Sequence, residues 1–140
     1  MLRRIFIPVL LLVIVYPVQG FPQAAEEVVF SGVPLFKISE GGDERVVENL
    51  EKDRAVEAKC IITKVGDQYF WASRDNAELF SIPGGAFLTF VATSGAGYVR
   101  IVPLGYKADA ALMDDAEKKF DYVEHMLIGL RSVTYYGKTK

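Results

Sequence analysis

A chain of 140 residues, 51% hydrophobic and 24% charged, has the make-up of a globular protein and not of a disordered, collagenous or disulfide-dense one. Sixteen basic and eighteen acidic residues give a formal charge of −2, so the basic excess needed to displace counterions from phosphates is missing and no nucleic-acid partner is expected. Cys60 is the only cysteine, so no internal disulfide forms and an apolar core must hold the fold together.

The first twenty residues read as a signal peptide. Arg3 and Arg4 form a short basic start, and the uncharged run from Ile5 to Val18 is 14 residues long, too short to span a ~30 Å hydrocarbon core comfortably. Gly20 is the expected last residue removed and Phe21 the first of the mature chain. Cleavage leaves 14 basic against 18 acidic residues, a charge of −4. The expected location is extracytoplasmic, periplasmic or secreted. Neither asparagine, Asn49 or Asn76, lies in an Asn-X-Ser/Thr sequence, which leans toward a bacterial envelope. The alternative is an uncleaved segment that tethers an envelope subunit, and this is the sole membrane contact expected.

Residues 21–27 read as a flexible leader and 28–140 as one domain. Val28-Val29-Phe30 and Leu35-Phe36-Lys37-Ile38 are short β-prone runs, with Pro34 confining the second to an edge or a strand start. From Glu44 to Glu57, Val46, Val47, Leu50 and Ala55 share a helical face, so one or two short surface helices are expected, with Asn49 as a cap. Residues 58–65 and 68–73 flank Gly66-Asp67, a two-residue loop suited to a hairpin. Residues 78–82, 87–93 and 98–102 continue the strands, separated by glycine-rich turns. Met113, Ala116, Phe120, Val123, Leu127 and Leu130 recur at steps of three and four, which predicts an amphipathic helix over 113–130, with Tyr122 and Met126 widening its stripe. Val133 to Tyr136 reads as a last short strand closed by Gly137. The expected fold is therefore α+β: a meander-like antiparallel sheet of about four to six strands, packed by a C-terminal amphipathic helix.

Tyr69-Phe70-Trp71 is the most distinctive stretch. In a strand Tyr69 and Trp71 share one face and Phe70 takes the other, so both faces need cover. Buried aromatics in a central hairpin account for this most simply. The functional reading makes Tyr69, Trp71 and Arg74 a ligand or partner surface, with Arg74 adding a charge-directed bond from the turn that follows.

No catalytic constellation stands out. His125 is the sole histidine, and with Asp121 and Glu124 alone it makes no convincing metal site. A Cys60–His125 dyad requires the fold to bring the two together, and a thiol in apolar surroundings is a poor nucleophile. Ser94-Gly95-Ala96-Gly97 lacks the lysine and hydroxyl of a phosphate-binding loop. No cofactor or metal is expected. The leading expectation is a small exported non-enzymatic domain that binds a protein or envelope component. The rival is a small hydrolase or transferase using His125 with Cys60 or a carboxylate.

Overall fold

The computed structural model describes residues 24–84, 87–103 and 119–140. Among these residues the elements in chain order are β1 (Glu26–Gly41), β2 (Glu44–Asn49), α1 (Lys52–Glu57), β3 (Cys60–Val65), β4 (Gln68–Trp71), β5 (Ala77–Gly84), β6 (Phe87–Ala92), β7 (Gly97–Ile101), β8 (Tyr122–Ile128) and β9 (Arg131–Thr139). Each strand from β3 to β9 pairs antiparallel with the next, and β1 pairs with both β3 and β9. Eight strands thus close into a barrel, with β2 added beside the C-terminal half of β1.

The expected α+β fold is overturned by this closure. Helix 113–130 is the main error: residues 113–118 lie outside the described residues, whereas 122–128 form β8 and 131–139 form β9, joined by Gly129-Leu130. A step of four is even, so Val123 and Leu127 share a face of a strand just as they share a face of a helix. The separating evidence lies at the odd steps. Tyr122 and Glu124 are buried while Val123 and His125 are half-exposed, an alternation of period two. Gly129 has φ of 62° at the first of two loop residues, where the tight turn between β8 and β9 needs it, and Leu130 at the tip is fully exposed. Gly66 repeats this device, with φ of 61°, in the hairpin between β3 and β4.

The helical reading of 44–57 also fails over its first half. Residues 44–49 are β2, an edge strand with Val46 and Val47 exposed, and only Lys52–Glu57 is helical. Asn49 ends β2 and caps nothing; Glu51 holds the N-cap position without a side-chain bond. The two early β runs are one long strand, bulged at two points instead of interrupted at Pro34. β1 begins at Glu26, within the stretch read as leader. Gly137 does not end the last strand but lies buried inside it, and a Cβ there would overlap the Tyr122 ring and the Val33 carbonyl.

Alternation along each strand sends one set of side chains into the barrel. Phe30, Cys60, Ile62, Trp71, Leu79, Phe90, Ala92, Val99, Ile101 and Tyr122 form a continuous buried cluster. Eight strands enclose just enough room for side chains to fill the interior. Trp71 and Tyr122 are the largest residues in the plug, and Gly32 and Gly137 leave space for the Tyr122 ring. Burying a large apolar side chain is worth about 1.5–3 kcal/mol, so the larger members of this cluster contribute strongly to the stability of the fold.

Candidate functional site

The plug divides the barrel into two mouths. One end gathers the turn between β4 and β5, the start of β3 and α1; the opposite end gathers the start of β1, the end of β7 and the end of β9.

Beneath the first mouth lies a buried polar cluster. Glu124, on β8, is fully buried, and its Oε2 accepts a hydrogen bond from Arg74 Nη2 at 2.9 Å. Arg74 reaches it because residues 72–76 form a five-residue turn, with Asp75 and Asn76 in left-handed conformation, that folds the guanidinium back over the barrel. The same guanidinium donates to the Ala58 carbonyl at 3.1 Å, the Ser73 carbonyl at 2.8 Å and the Met126 sulfur at 3.2 Å, and it lies 5.6 Å from the Tyr135 ring centroid. One side chain therefore ties the β4–β5 turn, the entry to β3 and β8 together.

Burial pushes the Glu124 carboxyl up to about 6, against the pull of the Arg74 charge and hydrogen bond. Cys60 and Trp71 lean on the same carboxylate and favour its ionised form, although Trp71 Nε1, Tyr122 Oη and Glu124 Oε1 lack hydrogen bonds of normal geometry. Burial, reinforced by the Glu124 charge, raises the Cys60 thiol well above its ordinary range, and burial likewise raises the Tyr122 hydroxyl.

Arg74 also lines an open recess of about 370 Å³ with Lys37, Arg54, Glu57 and Tyr135. Lys37 Nζ lies 2.9 Å from Glu48 Oε2, and Arg54 pairs with the other oxygen of that carboxylate. The hydrogen bond from Lys37 holds Glu48 below the usual carboxylate range.

The second mouth is apolar. A recess of about 320 Å³ is lined by Phe30, Tyr69, Leu88, Phe90, Ile101 and Pro103, with Ser31, Thr139 and Lys140 at its polar rim. The Tyr69 and Phe90 rings meet edge to face at 5.1 Å, and Lys64 Nζ sits 5.6 Å from the Tyr69 ring centroid. Backbone pairing fixes the rim, since Lys140 N donates to the Ser31 carbonyl at 3.0 Å.

The three residues singled out from the sequence thus separate. Tyr69 faces the apolar recess, Trp71 is in the plug at 2% exposure, and Arg74 closes the other mouth. Cys60 and His125 are not brought together. Cys60 points inward beside Glu124, whereas His125, next along β8, points outward, stacks on Tyr98 and bonds Thr134 Oγ1 through Nδ1 at 2.9 Å. Glu124, weighed from the sequence only as a neighbour of His125, is the functional-class residue that sequence reasoning missed; its position two residues after Tyr122 and two before Met126 on one strand face was the available signal. Among the described residues no group of three or more His, Cys, Asp or Glu is placed to hold a metal ion, and no helix is long and apolar enough to cross a membrane. Comparison with protein-family models, with curated proteins and with solved structures gives no match, and the site therefore stands on its own geometry.

Proposed function

We propose that this chain is an exported, non-enzymatic binding module that takes the acyl or aryl part of an envelope component into the apolar mouth of its barrel. The observation that carries the reading is the recess of about 320 Å³ lined by Phe30, Tyr69, Leu88, Phe90 and Ile101. That volume falls within the range of small-molecule sites, and aromatic and aliphatic walls with a few polar rim groups are what such sites use. Export is supported by the basic and apolar leader ending at Gly20. A thiol-based hydrolase draws no support from Cys60 and His125, which lie on opposite faces of the barrel wall.

The test uses protein recovered from the exported fraction, with intact mass reporting Phe21 as its first residue. An environment-sensitive anilinonaphthalene dye should gain fluorescence on binding and be displaced by a medium-chain alcohol. Leu88→Trp, which fills the recess with a side chain of the same class, should abolish the gain while far-ultraviolet circular dichroism stays unchanged. Equal dye affinity in the folded variant and the wild type would refute the reading.

A further inference from the structure

We infer that the other mouth of the barrel is an acid-enabled site for a small anion, with Arg74, Lys37 and Arg54 as its cations and the Arg74–Glu124 pair as its gate. This site is independent of the apolar recess. Three cations gather there, and three carboxylates, Glu48, Glu57 and Glu124, oppose them. Charges balance while all three carboxylates are ionised, so an anion gains nothing from the mouth. Only Glu124 is wholly buried, and its Oε1 lacks a hydrogen bond of normal geometry.

Protonation therefore reaches Glu124 before Glu48. Burial favours its neutral form near pH 6, whereas Lys37 keeps Glu48 ionised well below that. The groups around the carboxylate do not compensate. Cys60 on β3 stays a thiol and Tyr122 on β8 stays a phenol, while Val99 stands opposite on β7 and Tyr135 opposite on β9. Among the described residues, Arg74 is the cation that faces it.

Loss of the carboxylate charge leaves Arg74 held by the Ala58 and Ser73 carbonyls and the Met126 sulfur, all neutral. The guanidinium has five N–H donors, and four acceptors among the described residues engage four of them. Protonation of Glu124 thus gives the mouth one excess positive charge, borne by a planar fork suited to carboxylate, sulfate or phosphate oxygens and 20% exposed to the recess. The recess of about 370 Å³ admits such an ion with its hydration.

Inorganic sulfate is the probe, because its charge is constant across the pH range. Sodium sulfate is titrated at constant ionic strength at pH 5.0 and 7.5, with the backbone amides of Lys37, Arg54 and Arg74 followed by nuclear magnetic resonance. Wild type should bind at least about five-fold more tightly at the lower pH. Glu124→Gln should bind tightly at both. Lys37→Gln, which alters only the rim, should weaken binding at pH 5.0 in a folded chain. Shifts mapping to His125 on the outer wall, an affinity unchanged between the two pH values, or a Lys37→Gln variant that binds like wild type would each overturn the assignment.

Discussion

Replacing Glu124 with glutamine removes a charge from the barrel interior while keeping the shape of the side chain. In the folded chain this carboxyl titrates near pH 6, and in the unfolded chain it returns to about 4.5. Between these values the folded state holds a proton that the unfolded state has released, so wild-type stability falls as pH rises across that window. Below 4.5 the contribution is fully present; above 6 it is lost. The rise, at about 1.4 kcal/mol per unit, amounts to roughly 2 kcal/mol. Glutamine does not titrate, and every other group is common to both proteins and cancels in their difference. Urea unfolding of the two chains at pH 4, 5, 6 and 7 should therefore show Glu124→Gln gaining about 2 kcal/mol on wild type from the acid end to the neutral end. A difference that stays flat would refute the role given to burial. One that runs the other way would mean that the Arg74 pair outweighs burial and that the folded carboxyl lies below 4.5.

Gly137→Ala puts a methyl into the Tyr122 ring and the Val33 carbonyl, so a loss of about 1–3 kcal/mol is expected in denaturant unfolding, against less than about 0.5 kcal/mol for Leu130→Ser at the exposed hairpin tip. Cys60 has no solvent exposure, and its thiol is held protonated; a disulfide reagent should modify it only at the rate at which the barrel opens, and rapid modification under native conditions would contradict the plug.

Local features of the chain were legible and long-range ones were not. Gly66-Asp67 between two β-prone runs announces its hairpin because a two-residue loop with glycine has few other uses, and the β-prone run from Phe87 to Ala92 marks a strand, although only its Phe90 and Ala92 face is buried. Val123 and Leu127 misled because a four-residue step suits both a helix and a strand. Glu44 to Glu57 misled for a related reason: its charges mark an edge strand as readily as a solvated helix. The polar cluster was beyond reach. Arg74 and Glu124 stand 50 positions apart, and their meeting depends on the order in which eight strands join, which no window of sequence reports.

The seam between β1 and β9 has a temporal consequence. Gly32 to Gly41 align against Thr139 to Arg131, so the first strand waits for a segment synthesised about a hundred residues later. Contacts of such separation slow folding, and until the seam forms the hairpins between them have an open flank. A nascent chain of this topology can therefore shut its barrel only once its last strand has been made.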